Sequence, residues 1–218
     1  PLTVDTHEGR AWVGVVPFAM WGVRPSVTPP VPGLSAFNEL NVRTYVHFNG
    51  VPRVLFLSMD IDSRLATWAA RQFFFLPYFH ARMSLRQQAR TIEYASERAN
   101  GETAGAAFRA TWTFGEPLAQ PEPDSLDFFL TERYCLYTAD REQLYRLRVA
   151  HAPWPLRRAE LSACDSTVLE ALGLPPAPGA PLLHYADALK VDIFPLKRVR
   201  QPTHQHLFEP ANASEGLG

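Results

Sequence analysis

The sequence predicts a mainly β protein, α+β by strict count, built as an antiparallel barrel or folded sheet with two or three short flanking helices. Three observations lead there. About ten runs alternate apolar and polar residues, or stay continuously apolar, as strands do. Several of these runs are joined by turns short enough for hairpins. Helical spacing is sustained only briefly. Closing such a sheet protects its edges, and a barrel of about ten strands leaves room for a cavity.

The elements follow in order. Arg10–Val23, RAWVGVVPFAMWGV, is β-rich and apolar on both faces, and Pro17 predicts a bulge or break because it cannot donate to a ladder. RPSVTPPVPG, with four prolines, reads as a crossing loop. SAFNELNVRTYVHF then meets Asn49-Gly50, and PRVLFLSMD follows. That dipeptide suits the positive φ angles of a type I′ hairpin turn.

Asp60 or Asp62 is placed to cap a helix over about Ser63–Phe75, whose spacing puts Ile61, Leu65, Trp68 and Gln72 or Phe73 on the buried face. Pro77 ends it. Tyr78–Leu85, Thr91–Ser96 and Ala106–Phe114 read as strands. EPLAQPEPDS is a loop, and Asp124 or Ser125 caps a short helix through about Glu132. CLYT and QLYRLRVA form a second hairpin about Ala139–Glu142. WPLRRAELSA is a strand leading to a short helix near Thr167–Leu172, and a last strand is expected over His184–Phe194. No repeat or linker divides the chain, so residues 1–200 are read as one domain and 201–218 as a flexible tail.

Composition narrows the function classes. The 218 residues carry a formal net charge of −1 and no basic stripe interleaved with aromatics, which argues against nucleic acid as a partner. Apolar runs such as Ala11–Val16 fall short of a membrane span, and PLTVDTHEGR lacks the basic and apolar blocks of a leader peptide. Cys135 and Cys164 form no metal or redox spacing and read as reduced core thiols. A cytoplasmic protein is expected. Self-association is left open.

Of 21 basic residues only Lys190 and Lys197 are lysines. Arginine is a poor nucleophile, so no side chain before residue 190 can form an imine. Lys190 is the strand-embedded candidate, and pairing with Asp192 is its bland reading. No cofactor fingerprint or GxSxG elbow stands out, and no metal site does beyond an HxH at His204 and His206 without further ligands.

The candidate site lies on SAFNELNVRTYV. Glu39, Asn41 and Arg43 alternate with Leu40, Val42 and Thr44, so the three polar groups share one strand face. They either face water or line a buried space, where an acid beside an arginine would need pairing or a ligand. If buried, Glu39 would act as acid or base, Arg43 would anchor an anion and Asn41 would orient the ligand. Tyr78, His80 and Arg82 share a face in PYFHARM and could add a binding edge for a carboxylate or phosphate. A satisfied core histidine and a surface arginine are the plainer account of that pair.

The blocks VGVVPF, PVPGLSAFNELNVRTYV, FFLPYFHARM, FLTERYCLYT and HYADALKVDIFP, in this order between about residues 3 and 199, resemble a bacterial family of uncharacterised proteins. It is the YqjF-like group, domain-of-unknown-function family 2071. The resemblance implies a distant relation to acetoacetate decarboxylase, and so a cone-shaped antiparallel β-barrel with an internal cavity. That enzyme's lysine pair would fall near Phe73–Phe75, where phenylalanine cannot form an imine. Its acidic residue finds a loose match in Glu39. Two functions remain open: a cavity protein, binding or catalytic, for a carboxylate- or keto-bearing small molecule without Schiff-base chemistry, and a non-catalytic structural or partner-binding barrel.

Overall fold

The computed structural model describes residues 2–23, 35–140 and 143–199. Its strands are β1 (Thr3–Val4), β2 (Thr6–His7), β3 (Arg10–Ala11), β4 (Val13–Trp21), β5 (Ala36–Phe48), β6 (Val51–Ile61), β7 (Tyr78–Gln88), β8 (Thr91–Arg98) and β9 (Ala107–Pro117). After these come β10 (Cys135–Asp140), β11 (Gln143–Ala150), β12 (Leu156–Ser166), β13 (Tyr185–Ala186), β14 (Asp192–Ile193) and β15 (Lys197–Arg198). Helix α1 spans Arg64–Phe74, α2 spans Leu126–Thr131, and a 3-10 turn covers Glu170–Leu172. The protein is mainly β.

Thirteen strands form one sheet, and it branches at β6. One edge of β6 pairs antiparallel with β5 along nearly its whole length. The other edge pairs parallel with β10 at Val54 and Leu55, and parallel with β7 at Met59–Ile61. The sheet is therefore mixed rather than wholly antiparallel. Among the described residues β4 pairs only with β5 and β13 only with β12, so these strands form no closed ring.

Several expected elements are in place. Asn49 and Gly50 both adopt positive φ, 52° and 73°, in the turn between β5 and β6. Others differ for physical reasons. Pro17 sits opposite Leu40 with no register shift, because β4 pairs on one side only and needs no second donor there. The irregularity falls instead in β6, where Val42 opposes Ser58 and Arg43 opposes Phe56, leaving Leu57 as the extra residue. Ser63, not Asp60 or Asp62, caps α1 by accepting from the Ala66 N–H at 3.1 Å. Asp62 is engaged elsewhere, accepting from the Asn38 backbone and side chain.

Helix α1 also lies the opposite way round from the expected face. It lays Ala66 and Ala70 against Met59, Ile61 and Tyr78, while Leu65, Trp68 and Phe73 are 49%, 56% and 63% exposed. Small residues let the helix lie close on the sheet, and that outweighs the larger residues' apolar spacing. His184–Phe194 is not one strand: β13 pairs with β12 and β14 with β11, with residues 187–191 outside any ladder. Both cysteines are unpaired, and Cys164 is exposed on β12 rather than in the core. Among the described residues no helix is long and apolar enough to cross a membrane. The expected tail and His204 and His206 lie outside the described residues.

The main core joins Leu40 and Val42 of β5 to Tyr94 of β8, Phe108 and Ala110 of β9, and Val168. In the sheet path, β8 and β9 lie well away from β5. Their contact means the sheet folds over on itself, which covers the even-numbered face of β5.

Candidate functional site

Strand β5 has no face open to water at its centre. Its even positions, Leu40 and Val42, pack within the folded sheet. Its odd positions are Glu39, Asn41, Arg43 and Tyr45. Beside them β6 presents Ile61 opposite Glu39 and Met59 opposite Asn41, and β7 adds Tyr78 next to Met59. Ala66 of α1 covers this patch, and α2 covers the other end, with Phe129 5.1 Å from the Tyr45 ring. The polar row thus lies under helices, with Glu39 only 2% and Asn41 4% exposed.

Glu39 has neutral partners. The Tyr78 hydroxyl donates to Glu39 Oε2 at 3.0 Å, and the Asn41 side chain also hydrogen-bonds the carboxyl. Among the described residues no cation pairs with it. Burial pushes its pKa from 4.5 up to about 7, against the opposing pull of the Tyr78 and Asn41 hydrogen bonds. Burial also raises the Tyr78 phenol, and the neighbouring Glu39 charge raises it further. Tyr94 reaches from β8 to donate to the Glu39 backbone carbonyl at 2.8 Å, which fixes the strand locally.

Asn41 Oδ1 and Arg43 Nε are buried and have no hydrogen-bond partner among the described residues. One arm of Arg43 is fixed: its Nη2 donates to the Leu130 carbonyl at 3.1 Å, which also accepts from Tyr45 Oη at 3.1 Å. Gly14 faces Arg43 across the β4–β5 ladder. A Cβ there would lie in ordinary contact with Arg43 Cγ and Nε, at 3.5 Å.

The structure brings together Glu39, Asn41 and Tyr78, and it sets Arg43 farther along the same face. His80 lies half-buried on that face beside Ile61. Arg82 does not join them. It is exposed on β7 and pairs with Glu97 at 2.8 Å. Among the described residues no group of three His, Cys, Asp or Glu side chains could hold a metal.

One constellation escaped the sequence reading. Arg98 of β8 and Asp60 of β6 form a buried ion pair, with Nη2 to Oδ1 at 2.6 Å and Nε to Oδ1 at 2.8 Å. Ser96 donates to Asp60 Oδ2 at 3.2 Å, and Phe79 stacks 4.0 Å from the guanidinium. Burial raises the Asp60 carboxyl, and the Arg98 charge and hydrogen bond work against that rise. The signal was present: period two puts Ser96 and Arg98 on the face of Ile92 and Tyr94, an apolar face that ends in polar residues.

The profile of domain-of-unknown-function family 2071, an uncharacterised conserved protein, matches residues 1–190. The uncharacterised protein YqjF of Bacillus subtilis (strain 168) is 43% identical over 200 residues, covering 90% of this chain and 81% of that protein. Among solved structures, an acetoacetate decarboxylase aligns with TM-score 0.52 at 16% identity, over 84% of this chain and 85% of its own. The acetoacetate decarboxylase of Legionella pneumophila subsp. pneumophila str. Philadelphia 1 aligns with TM-score 0.46 at 15% identity, over 92% and 87%. The chain belongs to family 2071, and its fold is like that of acetoacetate decarboxylase.

Proposed function

We propose that this family-2071 chain binds a carboxylate- or keto-bearing small molecule along the odd-numbered face of β5 and exchanges a proton with it through Glu39. The observation that carries this reading is a buried acid poised at about 7 beside unspent hydrogen-bonding atoms on Asn41 and Arg43. A general acid or base works best when its pKa lies near the operating pH. Buried polar atoms without partners are uncommon and ask for an explanation. In this reading Glu39 transfers the proton, Tyr78 donates to the charged carboxylate, Asn41 orients the ligand and Arg43 holds its anionic end. Enclosure of the ligand between this face of β5 and the helices α1 and α2 belongs to the same proposal.

Imine chemistry has no support among the described residues. Lys190 is 87% exposed and sits 3.6 Å from Asp192, and Lys197 is exposed on β15. An imine-forming lysine needs a lowered pKa, which desolvation supplies and the surface does not. Thermal shifts with acetoacetate and pyruvate test the reading, because a ligand that prefers the native state raises its melting temperature. Stabilisation that disappears in Arg43→Ala supports it. Borohydride should trap no adduct with acetoacetate, and an adduct lost in Lys190→Met would overturn the proton-transfer account.

A second reading has one observation in its favour: the exposed row Leu65, Trp68 and Phe73 on α1. Here the chain is a non-catalytic subunit that self-associates through that helix. Sedimentation separates the two, since only the second reading predicts a dimer that Trp68→Glu dissociates.

A further inference from the structure

On the opposite face of the β5–β6 ladder, away from Glu39, lies a second polar feature. Val46 pairs with Arg53, seven residues along β5 from Glu39, which is roughly 23 Å of strand at ~3.3 Å per residue. There a cleft of about 430 Å³ is lined by Arg53, Arg146, Arg198, Phe48, Tyr137 and Val199, among others. Among the described residues no carboxylate lines it, and none of the three arginines makes an ion pair.

Three strands position those guanidinium groups. Arg146 of β11 is paired with Tyr137 on one side and with Lys197 on the other. Arg53 of β6 lies 5.7 Å from the Tyr137 ring centre and donates through Nη1 to the Pro52 carbonyl at 3.2 Å, while its Nε is buried without a partner. Arg198 of β15 donates through Nε to Gln143 Oε1, and the Gln143 amide in turn donates to the Val199 carbonyl at 3.1 Å. Two of the three are thus pre-oriented by neighbours that leave other N–H donors free. Like charges gathered without counter-charge make a local positive potential.

We propose that this cleft binds a phosphomonoester carried on a small, flat organic group. Guanidinium forks match the oxygens of a phosphate, and three of them from separate strands suit a dianion better than a single carboxylate. The Phe48 and Tyr137 rings offer apolar edges for the organic part. The volume lies in the range of about 300–1,000 Å³ usual for small-molecule sites.

Calorimetric titration of the full chain with phenyl phosphate at low salt tests the assignment. Saturable binding is expected, weakened about tenfold by Arg146→Gln and by Arg198→Gln, since each loses a charged hydrogen bond. Both residues are exposed, so both variants should fold. Arg82→Gln, which removes an equal charge on a distant strand, should leave binding unchanged. Loss of affinity in Arg82→Gln equal to that in Arg146→Gln would reduce the effect to bulk charge and overturn the site. Absence of saturable binding, or unaltered affinity in both arginine variants, would do the same. Malonate binding as tightly as phenyl phosphate would overturn the phosphate assignment in favour of a dicarboxylate.

Discussion

Two buried acids sit on neighbouring strands of one ladder, and they differ in what surrounds them. Asp60 lies opposite Leu40 on β6, while Glu39 is the next residue along β5, on the other face of the sheet. Asp60 is held by Arg98 through two short contacts and by Ser96. Among the described residues Glu39 has only a phenol and an amide. A carboxylate matched by a guanidinium is committed to its charge and works as structure. One matched only by neutral dipoles can hold or release its proton near neutrality, and that is the property proton transfer needs.

The contrast can be broken most forcefully at Asp60. Arg98→Leu strands a buried carboxyl and should cost about 3–5 kcal/mol in urea unfolding. Replacing both residues with leucine should recover much of that loss, because no buried charge is left alone. If Arg98→Leu alone costs under about 1 kcal/mol, Asp60 is not held by its charge partner and the contrast fails.

At Glu39 the effect is smaller and depends on pH. The native pKa lies above the unfolded one, so the native state binds more protons between pH 4.5 and about 7. Stability from this group is full below pH 4.5, falls as pH rises through that window and is flat above it. The loss amounts to ~3 kcal/mol, at ~1.4 kcal/mol per unit. Glu39→Gln should remove the slope and be the more stable protein at pH 8. A Glu39→Gln curve parallel to the parent's would place the slope on another group.

Tyr78→Phe sharpens the same point. It removes a hydrogen bond to the charged form, so it should cost about 1 kcal/mol and move the Glu39 midpoint upward. A downward move would mean the hydroxyl favours the protonated acid. The smallest effect belongs to Arg82→Ala, which breaks an exposed pair with Glu97 and should leave the urea midpoint nearly unchanged.

Much of this was readable from residue order. The Asn49-Gly50 hairpin, the alternating strands β7–β9 and the shared face of Glu39, Asn41 and Arg43 all follow from period two and turn chemistry. Tyr78 joins that face because β7 runs parallel to β6. What covers the face was not readable. Leu40 and Val42 look like residues to pack beneath a helix, yet they meet β8 and β9, and the helices lie over the polar row. That choice depends on how the sheet branches at β6 and folds over, which no local pattern encodes. Helix α1 misleads for a related reason, since its large apolar residues trace a clean stripe while its alanines make the contact. Asp60 and Arg98 meet across 38 residues of chain, and neither strand alone announces the other.

The most direct measurement is a titration of the Glu39 carboxyl by carbon NMR on glutamate-labelled protein, assigned by the signal missing in Glu39→Gln. A midpoint at about 7 is expected. A midpoint near the ordinary 4.5 would show a carboxyl solvated or paired in solution, and the claim that neutral partners leave it poised for proton transfer would be contradicted.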